Sequence, residues 1–188
     1  MKIYIVRHGQ TDYNKNRLIQ GHIDVPLNNY GKEQAILTAM HFINEPIDLI
    51  ISSPLSRAYE TAQIIAKEIN YQGEIIIDEH FRERNFGEAD GQSIPVIIER
   101  VRKGEVVNLE SEKDLVARVV KGLNNLKEKY PDKTILIVCH SQTIKAILMY
   151  INPELYNLDT YLRNCSISLI EYKNQKWEVV YANYNDYI

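Results

Sequence analysis

Apolar residues in this chain fall into short, β-branched runs separated by longer stretches of helical periodicity. Ile3-Tyr4-Ile5-Val6, Leu49-Ile50-Ile51 and Ile135-Leu136-Ile137-Val138 contain no charged residue. Such runs fit strands buried on both faces, as in parallel sheets. The pattern predicts strands at 2–7, 48–52, 74–78, 134–139, 165–172 and 176–182. Helices are predicted at about 31–44 and 55–70, within 93–103 and 111–129, and at about 142–151. This alternation implies an α/β fold, a mostly parallel central sheet with helices on both faces. Lys173-Asn174-Gln175 joins the last two strands at hairpin length, so at least one strand runs antiparallel. No linker, repeat or low-complexity block interrupts the 188 residues, and residues 1–188 are expected to form a single domain.

Chemistry gathers where the strands end. Arg7-His8-Gly9 follows the first strand, and Cys139-His140-Ser141 closes the run that begins at Thr134. In open α/β sheets, ligands bind outside the carboxyl ends of strands. Two histidines thus reach one edge, one with an arginine beside it, which suggests an anionic substrate. Between them, the strand 48–52 leads through Ser53-Pro54 to Ser56-Arg57-Ala58 at a helix start, a place that already favours anions.

Composition narrows the partners. A net charge of −3 argues against nucleic acid or an acidic lipid surface, so the useful cations are local. The apolar stretch after Met1-Lys2 stops at Arg7, too short for a signal peptide or membrane span; no membrane partner and a cytoplasmic location are expected. Cys139 and Cys165 read as reduced core residues, not a disulfide framework.

In order and spacing, Arg7-His8-Gly9-Gln10-Thr11, Ser53-Pro54-Leu55-Ser56-Arg57-Ala58 with Thr61-Ala62, Glu83 in Arg82-Glu83-Arg84, and Cys139-His140-Ser141 resemble the histidine phosphatase superfamily. Asn14, Gln20-Gly21, Pro26-Leu27 and Gly31 with Gln34-Ala35 match its N-terminal region. The likeness runs from Lys2 to the hairpin at Ile167–Tyr181. It implies a three-layer α/β/α, phosphoglycerate mutase-like fold in which 84–130 forms a lid or helical insertion covering the site. It also implies a histidine acid phosphatase-type hydrolase. His8 would be the nucleophile, Arg7, Arg57 and His140 the phosphoryl clamp, and Glu83 the proton donor, with Glu88 and Asp90 as rivals. Asn14, Gln20, Gly21 and Ser141 would join Arg7, Arg57 and His140 in binding substrate. Ser141 departs from the glycine that many members carry after the second histidine.

Phosphoryl transfer needs alignment and positive charge around the equatorial oxygens, and two guanidinium groups can supply that charge without a metal. No metal or cofactor is expected. A cysteine mechanism at Cys139 would need an arginine where Lys145 stands, and a buried strand cysteine lacks the setting of a thiolate. A zinc site fails because Cys139 and His140 point to opposite faces. The expected reaction is hydrolysis of a small phosphorylated metabolite through phosphohistidine. A phosphoglycerate mutase is the alternative enzyme, though the segment Asn85–Leu115 is short and mixed in charge for a mutase. An idle phosphate-binding module is the alternative outside catalysis. A homodimer is compatible with the sequence, which does not set the oligomeric state. His22, His41 and His80 read as structural, and Arg84, Arg100, Arg102 and Arg118 as surface residues, with Arg84 close enough to Glu83 to reach substrate.

Overall fold

The computed structural model describes residues 1–186. In chain order the elements are β1 Lys2–Arg7, α1 Asp12–Lys15, α2 Asn29–Ala39, β2 Leu49–Ser52, α3 Ser56–Glu68, β3 Ile75–Ile77, α4 Ile94–Arg102, α5 Glu112–Lys129, β4 Thr134–Cys139, α6 Ser141–Ile151, β5 Ile167–Lys173 and β6 Lys176–Tyr184. Six strands form one sheet in the order β3-β2-β4-β1-β5-β6. β1, β2, β3 and β4 are parallel, β5 pairs antiparallel with β1, and β6 antiparallel with β5. Only β5 therefore opposes the other described strands. The fold is the expected mostly parallel α/β architecture.

Side-chain alternation along the strands builds two cores. Ile3 and Ile5 of β1 join Ile135 and Ile137 of β4 against Leu115, Val119 and Leu123 of α5 and Ile144 and Ile147 of α6. Tyr4 and Val6 join Leu136 and Val138 on the other face, against Ala39 at the end of α2 and Ala58, Ala62 and Ile65 of α3. The period of two along a buried strand is what feeds both layers. Each fully buried Ile or Leu contributes about 1.5–3 kcal/mol.

Two boundaries differ from the pattern for local reasons. The strand expected from 165 begins at Ile167, because Cys165 sits at φ 56°, a left-handed conformation that cannot continue a strand. The helix expected to 44 ends at Ala39 and tightens into a 3₁₀ turn at Met40–Phe42. The β5–β6 turn places Asn174 and Gln175 at φ 49° and 62°, which suits a two-residue hairpin loop. The segment 84–130 divides in two. Phe86, Ala89, Ile97, Val101 and Val106 make a small cluster with Ile19, whereas α5 is a helix of the main core.

β1 and β4 lie side by side in register, Arg7 opposite Cys139, and the chain leaves them in opposite directions across the sheet. Their carboxyl ends are therefore the crevice where such folds hold ligands. His8 N–H donates to Cys139 O at 3.0 Å, which carries the pairing one step into the site.

Candidate active site

The loop after β1 is fixed by close backbone packing. A Cβ on Gly9 would strike the carbonyl of Gly31 at the start of α2, so only glycine lets the loop lie there. Gly9 N–H donates to Thr61 Oγ1 at 3.1 Å, and that hydroxyl donates to Arg57 O at 2.7 Å. His8 Nδ1 faces Gly9 O at 2.7 Å. A carbonyl can only accept, so the ring proton sits on Nδ1 and the lone pair on Nε2. Burial first, then the Arg57 and Arg7 cations, hold the His8 pKa well below its ordinary value. The ring is a neutral imidazole with a free nitrogen.

His140 lies fully buried beside it, ring centroids 5.1 Å apart. Ser53 Oγ lies 2.7 Å from His140 Nε2; with that hydroxyl donating, Nδ1 carries the proton. Burial, then Arg57, His8, Arg7 and His22, lower the His140 pKa well below the usual value. Arg57, also fully buried, donates Nη2 to Gly21 O at 2.7 Å and Nη1 to Ile23 O at 3.1 Å. Desolvation, outweighing Glu83, Asp24 and Asp90, brings its pKa to about 10. Arg7 donates Nη1 to Leu162 O at 2.6 Å. Five buried donors make no hydrogen bond among the described residues: Arg7 Nε, Arg57 Nε, His140 Nδ1, Gln20 Nε2 and, off this cavity, Arg82 Nε. Each such group costs about 1–3 kcal/mol. Of these, Arg7 and Gln20 line one cavity with His8, where an anion would accept from them.

Glu83 is 4% exposed. Its Oε1 accepts from Arg84 N–H at 2.8 Å and from Thr143 N–H at 3.2 Å, while the Thr143 hydroxyl donates to Arg82 O at 2.7 Å; Oε2 accepts from Gln142 N–H at 3.3 Å. The carboxylate thus takes first-turn N–H groups of α6, whose N-cap His140 provides no side-chain cap. Asp24 plays the same part at α3, accepting from Ser56 N–H at 2.8 Å.

A cavity of about 830 Å³ opens at this edge, and Arg7, His8, Asn14, Gln20, Glu83 and Ser141 all line it. Of the three carboxylates weighed from sequence, only Glu83 does so; Asp90 instead accepts from Gly21 N–H at 2.7 Å and Ile23 N–H at 2.8 Å. Arg57 and His140 are not among its lining residues, although the His140 ring packs against that of His8. Gly21, expected to bind substrate, stays off the cavity surface and works through its carbonyl on Arg57. Asn14 Oδ1 accepts from Thr11 N–H at 3.1 Å and closes the capping box of α1.

Several contributors carry no sequence signal. His22, read as structural, places Nε2 2.9 Å from Glu83 O. Arg118, read as a surface residue, donates Nη1 to the carbonyls of His80 and Arg82 at 2.9 Å and grips Glu110 through Nε and Nη2, also at 2.9 Å; it fixes the loop that carries Glu83. Asn164 donates to His8 O at 3.0 Å. These contacts join segments far apart in the chain, and no spacing rule announces them. Cys139 has its thiol pKa pushed far up by burial, which removes it as a nucleophile. No cluster of three or more His, Cys, Asp or Glu able to hold a metal ion occurs among the described residues, and no helix there is long and apolar enough to cross a membrane.

The family model described as "Histidine phosphatase superfamily (branch 1)" matches residues 3–185. An uncharacterized phosphatase, PhoE, of Bacillus subtilis is 35% identical over 99% of this chain and 96% of its own length. A putative phosphoserine phosphatase of Hydrogenobacter thermophilus is 31% identical over 97% and 95%. Among solved structures, a phosphoserine phosphatase variant from Entamoeba histolytica in complex with phosphoserine is similar with a TM-score of 0.88 and 26% identity, over 100% of this chain and 98% of that one. A phosphoglycerate mutase from Bacillus anthracis shares the fold, with a TM-score of 0.91 at 21% identity over 100% and 94%.

Proposed function

We propose, for a chain that belongs to the histidine phosphatase superfamily, that it hydrolyses the phosphomonoester of a small metabolite through a phosphohistidine at His8, without a metal. The observation that carries this reading is the neutral, oriented imidazole of His8 among buried N–H donors that lack acceptors. His8 Nε2 attacks phosphorus, forming the P–N bond as the P–O bond to the alcohol breaks. Arg7 Nε, Arg57 Nε and His140 Nδ1–H meet the equatorial oxygens, where positioned donors count most. Glu83 gives its proton to the departing alkoxide. It then takes one from water as that water attacks phosphorus, the P–N bond breaks and inorganic phosphate leaves.

The short, mixed-charge segment between Asn85 and Leu115 favours water as final acceptor over a second phosphoryl transfer. The names of the Bacillus subtilis and Hydrogenobacter thermophilus relatives agree with a phosphatase. A panel of phosphomonoesters assayed with and without EDTA, followed by rapid-quench labelling, tests the proposal. Phosphate release should survive the chelator, and an acid-labile, base-stable label should form on the enzyme. His8→Ala should abolish both, with kcat down by about 10⁴-fold or more. Labelling that persists in His8→Ala rejects the nucleophile; loss of activity in EDTA rejects the metal-free mechanism.

A further inference from the structure

Arg57 carries its charge in a place closed to water, and no carboxylate stands within ion-pairing distance of it among the described residues. Both of its Nη groups donate instead to carbonyls of one turn, Gly21 O at 2.7 Å and Ile23 O at 3.1 Å. The turn therefore sets where the guanidinium lies. Asp90 in its place sets the turn. Its Oδ1 accepts from Gly21 N–H at 2.7 Å and its Oδ2 from Ile23 N–H at 2.8 Å. One carboxylate thus takes the N–H groups of the same two residues whose carbonyls take Arg57. Hydrogen bonds to a charged acceptor are roughly twice as strong as neutral ones.

We propose that Asp90 is a positioning residue of the reaction: its carboxylate locks the Gly21–Ile23 turn and, through the two carbonyls of that turn, holds Arg57 at the phosphoryl group. The inference rests on the phosphomonoesterase reading and adds a residue to it. Two N–H groups face position 90, so two acceptors are needed there. A carboxylate offers both, whereas an amide offers one acceptor and one donor. Asp90 does not line the cavity that holds His8, and its carboxylate has no other hydrogen-bond partner among the described residues. It meets neither the phosphoryl group nor the departing alcohol.

The carboxylate is itself held in place. Asp90 follows the 3₁₀ turn at Gly87–Ala89, and the chain beside it is tied to the strip that leads into the Gly21–Ile23 turn: Gly91 N–H donates to Ile19 O at 2.9 Å and Ile19 N–H to Gln92 O at 2.8 Å. The two strips lie close together. A Cβ on Gly21 would come within 2.9 Å of Arg84 O and 3.2 Å of Asp90 Oδ2, so glycine is what permits the approach. Charge adds to the geometry. Desolvation lowers the Arg57 pKa, and Glu83, Asp24 and Asp90 pull the other way, so the same carboxylate that fixes the turn helps to keep the guanidinium charged.

The test is a double-mutant cycle between Asp90→Asn and Arg57→Met, read by kcat on p-nitrophenyl phosphate and on glycerol 3-phosphate and by the dissociation constant of vanadate. Asp90→Asn alone should lower kcat by about tenfold and weaken vanadate by a similar factor, in line with the loss of one charge-assisted hydrogen bond. Both esters should slow equally, because Arg57 acts on the phosphoryl group they share. Beside Arg57→Met the same change should alter kcat and vanadate binding by no more than about twofold, since no guanidinium is left to position. A tenfold loss that persists beside Arg57→Met means that Asp90 serves the fold at large and overturns the proposal, as does an unchanged kcat in Asp90→Asn. A loss confined to glycerol 3-phosphate makes Asp90 a proton donor and overturns it as well. Should Asp90→Asn fail to fold, Asp90→Ser, which keeps one short acceptor, enters the cycle in its place; failure of both to fold overturns positioning in favour of stability. Arg57→Lys stands in for Arg57→Met on the same terms. If the unaltered protein turns over neither ester, the phosphomonoesterase reading falls while the vanadate cycle still decides the part of Asp90; if it also leaves vanadate unbound, both fall.

Discussion

The two ends of the cavity are built by opposite rules. At the carboxyl ends of β1 and β4, the polar side chains are tied chiefly to backbone: Arg7 to Leu162 O, His8 to Gly9 O, Arg57 to Gly21 O and Ile23 O. Leu162 belongs to a main core, whereas Gly21 and Ile23 are held in turn through their N–H groups by Asp90. At the other end, Ile97 and Val101 of α4 pack with Ile19, Phe86 and Val106 in a cluster separate from both main cores. Arg102 there relies on surface pairs with Glu99 and Asp159, which solvent screens. On the proposed mechanism, positioning for the reaction falls to the strand ends and contact with the leaving group to the outer cluster, with the Gly21–Ile23 segment joining the two through Asp90 and Arg57.

Arg57→Lys probes that separation with the largest effect. Lysine has three donors but on one compact nitrogen, so without the planar fork it cannot hold both carbonyls and place an N–H where Arg57 Nε stands. The expected loss in kcat is about 10²-fold or more, as for removal of an oxyanion donor, with a matching loss of competitive inhibition by vanadate. Any preference between two esters that share the phosphoryl group and differ in the alcohol should survive. If that preference collapses together with kcat, the two ends are one unit and the division fails.

Glu83→Gln sits at the junction, since Glu83 lines the cavity and also receives the first-turn N–H groups of α6. Glutamine can still accept from Arg84 and Thr143 N–H through its carbonyl oxygen, giving up the long contact with Gln142 N–H, but offers no acidic proton. An alkyl phosphate should therefore slow by about 10²-fold, within the usual range for general acid catalysis, while p-nitrophenyl phosphate, whose phenolate departs unaided, changes little. Equal loss on both esters would mean that the helix start has shifted and the carboxylate is structural.

Much of the phosphoryl end was legible in the sequence, and the reason is physical. Short, β-branched apolar runs bounded by turn residues read as buried strands, and a strand's end fixes where the next residue lies; that and the motifs around them place His8 and His140. Arg57 is likewise fixed by the first turn of α3. The rest depends on contacts between distant segments. His22 reaches Glu83 O across 61 positions and Asn164 reaches His8 O across 156, and neither sits in a periodic pattern. Arg118 looks like any solvated helix arginine until the carbonyls of His80 and Arg82 are seen around it.

The smallest expected effect separates the two ends by their response to acid. His8 and His140 have folded-state pKa values held well below the ordinary histidine value, by burial first and by the Arg57 and Arg7 cations next. A lowered pKa means that the unfolded chain binds protons more readily than the folded one. The stability these neutral rings confer is therefore complete above about pH 6.5 and is lost as pH falls below it toward the folded values. The slope is on the order of 1 kcal/mol per pH unit for each histidine. Urea denaturation at several pH values between 7.5 and 5, on the unaltered protein and on His8→Gln, measures it: the variant should lose less stability over that interval. Val101→Ala, which removes methyl groups from the outer cluster and alters no charge, should lower stability by a similar amount at every pH. If His8→Gln keeps the slope of the unaltered protein, His8 is not held neutral by its surroundings, and the contrast between a charge-poised end and an apolar wall is lost with it.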